Sequence, residues 1–457
     1  MTMLCIRNGL VLDPASGLSS MQDVWIKDGK ILHITDQKNM RSQYETNGEV
    51  RSLDAFGRWV VPGLIDLHVH LREPGFEYKE TIATGIMAAA RGGFTTVCCM
   101  PNTRPPIDSR ATVELVDRQA KAAGKVKVLA AAAITKEQKG ETLADLAELV
   151  SADTVSQALL GRGICAQTED GRTVMDAGLM RRAMVQAAER GVPIFSHAEE
   201  ETLAGGCIHD GEIAAQFGVK GIPSEAEEII VSRDLLLARA TGCQIHFCHV
   251  STAGSVELIR TAKESGLAVT AETAPHYLAL DETSLVATRE DGTRYLDPNK
   301  KMNPPLRAAR DREALIRGIQ DGTIDAIATD HAPHTREEKE RGIVDAPFGV
   351  TGLETSFAVS YTELVRTGVL SPLDLVRIMS TAPAQILGLD RGSIQEGKAA
   401  DLAIIDVNHP WVIHGEELVS KGKNTAFEGR QVYGQVVLTI AEGEIIYDRS
   451  TALADQR

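Results

Sequence analysis

The sequence lacks an apolar run long enough to cross a membrane, and it has no surplus of basic residues. None of its stretches reaches the length of about 18 consecutive apolar residues that a membrane span needs. Near the start, Arg7 and Asp13 interrupt the segment where a secretory signal would need an apolar core. The net charge of −15 disfavours a nucleic-acid partner, because phosphate backbones are bound through clustered Lys and Arg. We therefore expect a cytoplasmic protein that binds neither membranes nor nucleic acid.

Cysteine pairs with the spacing of metal-binding or redox motifs are also missing. The seven cysteines form no CxxC pair, and Cys165, Cys243 and Cys248 lie inside apolar runs. This distribution is typical of buried, reduced thiols.

The middle of the chain instead alternates short apolar runs with segments that have the three- and four-residue spacing of amphipathic helices. Alternation of this kind is typical of a parallel sheet, and eight runs predict an α/β fold, a closed (β/α)₈ TIM-like barrel. An open doubly wound sheet is the alternative, but no glycine-rich phosphate turn follows the first run. The runs are VVPGLIDLHVH, FTTVCCMPN, VKVLAAAAIT, GICAQTED, VPIFSHAE, QIHFCHV, LAVTAETAPH and IDAIATD.

The two ends of the chain have a different texture. Residues 1–60 and 392–457 contain short β-type segments broken by Gly and Asp, such as LCIRNGLVLDP and GQVVLTIAEGEIIYD. We expect both ends to pair into one small β-sandwich domain without chemistry of its own, and residues 61–391 to form the catalytic barrel.

Polar residues with metal-binding chemistry stand at the ends of the predicted strands. His68 and His70 are two apart on one strand, so both rings project from the same face. Catalytic groups of such barrels cluster at the C-terminal ends of the strands, which predicts a metal-dependent hydrolase. The strand-end residues are His68, His70, Asn102, Thr135, Asp170, His197, His249, His276 and Asp330.

Longer motifs surround these residues: HVHLREPGFEYKETIATG (68–85), AARGGFTTVCCMPNTRPPID (89–108), EDG (169–171), HAEE (197–200), HVST (249–252), KMNPPLR (301–307), ATDHAPH (328–334), APFGVTGLET (346–355) and KNTAFEGRQVYG (423–434). Together they resemble bacterial dihydroorotases of the longer, class I type, within the amidohydrolase superfamily. The HxH pair alone indicates only the superfamily, whereas LREPG, MPNT, NPPLR and PFGVTGLE together indicate this activity.

The resemblance implies a binuclear metal site. In the family, the first-strand histidines and the last-strand aspartate hold a more exposed ion, the histidines of strands five and six hold a second, and one carboxylate bridges both. Imidazole and carboxylate ligands suit Zn²⁺, with Mn²⁺ or Co²⁺ as alternatives. The expectation is two Zn²⁺ ions per chain, held by His68, His70 and Asp330, by His197 and His249, and by the bridging Asp170.

Asp170 is expected to replace a carboxylated lysine. Relatives that open hydantoins and dihydropyrimidines carry that lysine at the end of strand four, and here the run GRGICAQTEDGRT (161–173) has no lysine. The alternative role of Asp170 is that of a turn residue, because Asp-Gly pairs favour tight turns.

The implied reaction is the reversible hydrolysis of the cyclic amide of (S)-dihydroorotate to N-carbamoyl-L-aspartate, a step of pyrimidine (UMP) biosynthesis. Asp330 is the implied proton acceptor and donor. Arg72 lies two residues after His70, on the same predicted strand face, and its guanidinium suits a carboxylate. By resemblance, the carboxylate is bound by Arg72, Asn102 and His334, and the pyrimidine ring is lined by Asn303, Pro347, Phe348 and Gly349.

Three positions depart from the usual family pattern without removing a ligand. Glu169 gives EDG instead of DDG, Ala198 gives HAEE instead of HCED, and Tyr277 gives PHYL instead of PHHL; such neighbours tune ligand orientation. Among the other histidines, His246 and His331 are predicted to be structural, and His276, at the end of strand seven, is predicted to lie near the carboxylates of the site. His33, His209, His409 and His414 receive no role.

Two rival functions stay open. One is another cyclic amide hydrolase, an allantoinase or a dihydropyrimidinase, which the missing strand-four lysine disfavours. The other is a non-catalytic dihydroorotase-like partner of aspartate transcarbamoylase, which the complete ligand set disfavours. We expect a homodimer, and the sequence leaves open whether the active enzyme also associates with aspartate transcarbamoylase.

Overall fold

The computed structural model describes residues 3–35 and 50–454. Within these ranges no helix is both long and apolar enough to cross a membrane. The predicted terminal domain includes residues 1–2, 36–49 and 455–457, which lie outside the described residues.

The strands are numbered in chain order. They are β1 Met3–Asp13, β2 Leu18–Lys27, β3 Lys30–Thr35, β4 Val50–Asp54, β5 Trp59–Pro62, β6 Leu64–Val69, β7 Phe94–Cys99, β8 Lys127–Ala130, β9 Ala132–Ala133, β10 Gln167–Thr168, β11 Ile194–Ser196, β12 Ile208–His209, β13 Gly221–Ile222, β14 Ile245–Phe247, β15 Val269–Thr273, β16 Val286–Thr288, β17 Arg294–Leu296, β18 Ala326–Ile327, β19 Leu402–Asp406, β20 Trp411–Val412, β21 Gln431–Val432, β22 Gln435–Ala441 and β23 Glu444–Asp448.

Helices connect most of the central strands. The α-helices are Ile82–Arg91, Arg110–Ala123, Leu146–Val150, Val155–Leu160, Ala177–Arg190, Glu212–Phe217, Glu225–Thr241, Ala253–Glu264, Pro275–Ala279, Ala309–Gln320, Arg336–Lys339, Gly342–Asp345, Ser356–Ser360, Pro372–Val376, Ala382–Leu387 and Arg449–Ala454, and wider turns occupy Tyr361–Val365 and Arg377–Thr381.

The two ends of the chain meet in one mixed sheet. Its order is β23-β22-β19-β5-β1-β2-β3, with β4 beside β1, and β19 pairs antiparallel with β5 to join the C-terminal strands to the N-terminal ones. Apolar side chains such as Ile6, Val24 and Ile404 form its own core. Among the described terminal strands, only β20 and β21 lie outside this sheet, where they pair with each other; the two-layer sandwich stays a prediction.

The first predicted barrel run, VVPGLIDLHVH, is divided between two sheets at Gly63. Trp59–Pro62 belongs to the terminal sheet, and Leu64–Val69 begins the central sheet. A side chain at Gly63 would place its Cβ 2.3 Å from Oγ1 of Thr95. The predicted boundary between residues 60 and 61 thus falls inside β5, because both halves of the run are equally apolar and the pattern does not mark the change of sheet.

Parallel strands follow in the order expected for a (β/α)₈ barrel. They run β6-β7-β8 and then β9-β10-β11-β14-β15-β18, with β8 and β9 separated only by Ala131. A parallel bridge between Val69 and His331 links the chain after β18 to β6. Every residue of β6 and β7 is buried, as is usual for parallel strands covered by helices.

Two of the helices between the predicted runs begin at a capping side chain and end at a glycine. Thr81 caps Ile82–Arg91 by accepting from the Thr84 N–H, and the helix ends at Gly92. Asp176 caps Ala177–Arg190, which ends at Gly191 with a φ of 63°, a conformation that glycine adopts without steric cost.

The seventh strand ends earlier than predicted. It covers Val269–Thr273, and Pro275 begins the short helix Pro275–Ala279, so His276 lies on a helix rather than at the end of a strand. Proline is favoured at the first position of a helix because its missing N–H is not needed there.

Candidate active site

His68 and His70 project together from the end of β6. His68 is the last but one residue of the strand, and His70 follows it, held by a hydrogen bond from its backbone N–H to the His331 carbonyl at 2.8 Å. Nε2 of His68 lies 3.2 Å from Oδ1 of Asp170, and Nε2 of His70 lies 3.2 Å from Oδ1 of Asp330. The predicted HxH pair therefore faces both predicted carboxylates.

Asp170 lies at the centre of the cluster. Its Oδ1 is 3.4 Å from Nδ1 of His197 and 3.6 Å from Nε2 of His249, and its Oδ2 is 3.4 Å from Nε2 of His70. Burial alone would raise the pKa of this carboxyl, but the positive charge of His68 and the adjacent rings of His197 and His249 hold that pKa well below its ordinary value. Asp170 is thus an ionised carboxylate that faces histidines on both sides.

Asp330 and His249 both have backbone conformations that non-glycine residues rarely adopt. Their φ angles are 46° and 34°, and each follows the end of a short strand. Burial would raise the pKa of Asp330, but a hydrogen bond with His70 and the charge of His68 lower it. Such strain is found at functional sites, where the surrounding structure enforces it.

The cluster has the donor set and the unsatisfied atoms of a cation site. The potential ligand atoms of His68, His70 and Asp330 all lie within 4.8 Å of one another, as do those of His68, Asp170 and His249. Nε2 of His68 and Oδ1 of Asp170 are buried without a hydrogen bond. Buried polar atoms without partners are costly, so a bound divalent cation fits this arrangement. His197 adjoins the second group, with Nδ1 2.9 Å from Nε2 of His249.

Glu272 is a buried residue of this site that sequence reasoning missed. Its Oε1 lies 3.1 Å from Nδ1 of His68, and its Oε2 lies 3.1 Å from Nε2 of His246. Burial would raise its pKa, but hydrogen bonds with His246 and His68 lower it to about 2. The signal was present in LAVTAETAPH, because a carboxylate in an apolar strand is rarely buried without a partner. His246, predicted to be structural, therefore contacts the carboxylate that orients His68.

A cavity of about 220 Å³ opens beside the cluster. Of the seven predicted substrate residues, Arg72, Asn102, Asn303, Phe348 and Gly349 line it. Nδ2 of Asn303 donates to Oε1 of Glu199 at 3.0 Å, while its Oδ1 is buried without a hydrogen bond. Oδ1 of Asn102 lies 2.8 Å from Nδ1 of His70, so Asn102 also orients a predicted ligand.

The other two predicted substrate residues, His334 and Pro347, do not line the cavity but contact residues that do or that adjoin it. Nε2 of His334 lies 3.2 Å from Nη2 of Arg72 and 2.8 Å from the Phe348 carbonyl oxygen. Burial and the charge of Arg72 lower the pKa of His334, so its ring is neutral. The Pro347 carbonyl accepts from Nζ of Lys339.

Arg72 is not on the strand that carries His68. The strand ends at Val69, and Arg72 lies in the following loop with a φ of 62°. The same-face argument was therefore wrong, because the period of two ends with the strand, although Arg72 still reaches the cavity. Its Nε donates to the Pro333 carbonyl at 3.3 Å.

The three departures from the family pattern are buried near the site. Oε2 of Glu169 accepts from the N–H groups of Ile134 and Thr135, both at 3.0 Å. The Tyr277 hydroxyl donates to the Pro304 carbonyl at 2.5 Å, and Ala198 is buried. None of them occupies the position of a predicted ligand.

His276 and His331 are two buried histidines that are not proposed metal ligands. Nε2 of His276 is buried without a hydrogen bond, and burial lowers the pKa of this ring to about 4, a decrease that the charge of Asp330 opposes. Nδ1 of His331 accepts from the Gly352 N–H at 3.1 Å. His331 thus binds a backbone N–H group and does not line the cavity.

Comparison with known proteins gives one consistent sequence family. A family described as Dihydro-orotase-like matches residues 57–255. A protein from Bacillus cytotoxicus named Dihydroorotase is 45% identical over 448 residues, which covers 98% of this chain and 99% of that protein. Another of that name, from Pelotomaculum thermopropionicum, is 46% identical and covers 97% of this chain and 98% of its own.

Solved structures with the same fold include a hydantoinase and a dihydropyrimidinase. An L-hydantoinase (dihydropyrimidinase) from Arthrobacter aurescens aligns with a TM-score of 0.82 at 27% identity, covering 98% of this chain and 96% of its own. A dihydropyrimidinase from Brevibacillus agri aligns with a TM-score of 0.81 at 26% identity, covering 98% and 95%. Sequence identity is thus far higher to the first group than to the second.

Proposed function

Because the chain belongs to the dihydroorotase family, we propose that it catalyses the reversible hydrolysis of (S)-dihydroorotate to N-carbamoyl-L-aspartate in pyrimidine (UMP) biosynthesis. The observation that carries the proposal is the 45% identity to a dihydroorotase over 98% of the chain. The carboxylate of Asp170 among four histidines supports it, because this chain has no lysine in that strand.

We propose that the cluster holds two Zn²⁺ ions. His68, His70 and Asp330 would hold the first, His197 and His249 the second, and Asp170 would bridge them. Histidine and carboxylate ligands are suited to Zn²⁺. When bound, the ions would polarise the ring amide carbonyl and lower the pKa of the attacking water.

The protein groups would orient the substrate and move the proton. Asp330, kept ionised by its histidine neighbours, would take the proton of the attacking water and give it to the departing ring nitrogen. Arg72, Asn102 and His334 would fix the substrate carboxylate, with His334 acting through Arg72, which it contacts. Asn303 and residues 347–349 would border the ring, and the unpartnered Oδ1 of Asn303 is an acceptor for a ring N–H.

The architecture supports the same proposal. We propose a closed (β/α)₈ barrel, on the parallel strand order and the bridge between Val69 and His331, with a terminal β-sandwich domain. In such barrels the catalytic groups lie at the C-terminal ends of the strands. We also propose a cytoplasmic homodimer and keep open its association with aspartate transcarbamoylase.

One comparison tests the function. Purified protein assayed with dihydroorotate, allantoin and dihydrouracil, with metal analysis of the same sample, should show turnover of dihydroorotate above the other two and one to two divalent ions per chain. Preference for dihydrouracil would favour a dihydropyrimidinase, and absence of turnover in the metal-loaded protein would favour a scaffold.

A further inference from the structure

The segment from residue 344 to residue 349 runs beside the candidate cavity. Most of its backbone carbonyls are bound by side chains and not by a neighbouring strand. Phe348 and Gly349 line the cavity. Gly349 has a φ of 131°, and a side chain there would place its Cβ 2.7 Å from Cβ of Ala332, so the backbone lies directly against its neighbour. The position of this segment therefore defines one wall of the site.

Lys339 makes the central contacts. Its Nζ donates to the carbonyls of Lys301 at 3.2 Å, Pro347 at 3.1 Å and Gly349 at 3.0 Å. The side chain is buried, with 3% of its surface exposed. An ammonium group has three N–H donors, and here each has a carbonyl acceptor.

A second buried lysine binds the preceding turn. Nζ of Lys301 donates to the carbonyls of Val344 at 2.9 Å and Ala346 at 2.6 Å, and it lies 4.5 Å from the centre of the Phe348 ring. The Lys301 carbonyl also accepts from the Gly349 N–H at 3.0 Å. Both lysines thus donate hydrogen bonds to carbonyls of the same segment.

His334 and Asn424 add two further contacts to the carbonyls of this segment. The Phe348 carbonyl lies 2.8 Å from Nε2 of His334, and Nδ2 of Asn424 donates to the Gly349 carbonyl at 3.0 Å. Carbonyls of residues 344, 346, 347, 348 and 349 all contact side chains in this way.

This pattern fixes the direction of one peptide group. In a planar trans peptide the C=O and the following N–H point in opposite directions. With the Pro347 carbonyl directed at Lys339, the Phe348 N–H points away from the lysine, and within the described residues it has no hydrogen-bond acceptor. It is therefore a free donor on a segment that borders the cavity.

In the part of the chain that the structure describes, neither Lys339 nor Lys301 forms an ion pair with a carboxylate, and both are buried. Burying a cation in this way is costly, whereas neutral side chains could bind the same carbonyls without that cost. We propose that Lys339 is a positioning residue: its ammonium fixes the backbone of residues 347–349 so that the Phe348 N–H is available to the substrate. This inference rests on the proposed function for its substrate, but the loop position itself does not.

The charge of Lys339 adds a pH dependence. Burial, followed by the charge of Lys301, lowers the pKa of Lys339 to about 7, while the charges of Asp297 and Glu338 oppose the decrease. Below that pH the ammonium offers three donors, and above it the amine offers two. One of the three carbonyls then loses its donor, so the segment should loosen as pH rises through about 7.

The test compares Lys339→Met with Lys300→Met as a matched control. Lys300 is half-buried, and its Nζ donates to the Ser284 carbonyl at 2.8 Å, outside the segment. In Lys339→Met we expect kcat/KM for dihydroorotate to fall about 10²-fold, as for a small misplacement of substrate-binding groups, mainly through KM. Lys339→Gln, which keeps two donors, should recover part of the loss, and Lys300→Met should match the parent.

Amide hydrogen exchange of residues 342–351 provides a readout that needs no substrate. Exchange of these residues should accelerate in Lys339→Met relative to exchange in β7. In the parent, kcat/KM should decline above pH 7, and this decline should be absent from Lys339→Met. If Lys339→Met does not fold, the same measurements on Lys339→Gln replace it. Exchange of residues 342–351 in the parent is then also compared at pH 6 and pH 8, with the exchange of β7 as the reference at each pH. Unchanged exchange and kcat/KM within twofold of the parent would overturn the proposal; inactivity of the parent with accelerated exchange in the variant would instead overturn only the proposed substrate.

Discussion

The carboxylate of Glu272 lies 3.1 Å from Nδ1 of His68, although the two residues are 204 positions apart in the sequence. The contact occupies the ring nitrogen of His68 that faces away from Asp170. A partner of this kind fixes the tautomer and orientation of a metal-binding histidine.

Glu272→Gln should therefore weaken metal binding while leaving every proposed ligand in place. We expect the affinity for Zn²⁺ to fall about 10- to 100-fold, the range found for lost partners of metal ligands. Competition with a chelator, read as metal content, measures this. His246→Gln, which disturbs the other oxygen of Glu272, should cause a smaller loss, and unchanged affinity in both variants would show that Glu272 only fills the core.

Asp170→Ala should remove the shared carboxylate of the two proposed ions. The histidines of the second ion, His197 and His249, would lose the oxygen that faces them at 3.4 Å and 3.6 Å, so we expect at most one ion per chain and no measurable turnover. Mass spectrometry under native conditions counts the ions directly. A variant that retained both would show that another group bridges them.

The parts of the site that could be predicted from the sequence are those whose chemistry is local. The spacing of His68 and His70 predicted that they project together, which the structure shows, whereas the bridging role proposed for Asp170 came from the family resemblance. Glu272 and Lys339 could not be predicted, because their roles depend on partners that only the fold brings near: a histidine from β6 in one case, and backbone carbonyls, which no motif encodes, in the other.

The fold shows the same division. Alternating apolar runs and helical segments predicted the parallel strand order, since periodicity reports which residues are buried. The change of sheet at Gly63 was missed, because the apolar pattern is the same on both sides of it, and the close approach of Thr95 to Gly63 is visible only in the fold. The position of Arg72 was inferred from strand alternation beyond the point where the strand ends.

Asp330→Asn should separate proton transfer from substrate binding. The amide has a similar shape but cannot accept the proton, so kcat should fall by about 10²- to 10⁴-fold, as for a lost general base, with a much smaller change in KM. Metal content must be measured in the same sample, because Asp330 is also a proposed ligand. Asp325→Asn is the matched control: Asp325 precedes β18 and contacts Nζ of Lys263 at 2.6 Å, away from the cavity, and its kcat should equal that of the parent.

The substrate carboxylate distinguishes dihydroorotate from dihydrouracil, and Arg72 is the cation that lines the cavity near the proposed metals. Its Nε donates to the Pro333 carbonyl, and its Nη2 lies 3.2 Å from Nε2 of His334. The guanidinium is therefore held in place, and one of its donors is already used. Burial lowers its pKa, opposed by the charges of Asp330 and Asp170, and a substrate carboxylate would add a direct partner.

Arg72→Met should leave that carboxylate without its charged donor. We expect kcat/KM for dihydroorotate to fall by about 2–3 kcal/mol, the upper part of the range for a hydrogen bond between charged groups, with metal content and melting temperature close to those of the parent. Arg336→Met is the control for the loss of one positive charge, because Arg336 is exposed and paired with Glu416. The decisive quantity is the ratio of kcat/KM for dihydroorotate to that for dihydrouracil: it should fall in Arg72→Met alone, and an unchanged ratio would mean that Arg72 does not bind the carboxylate and that another donor selects the substrate.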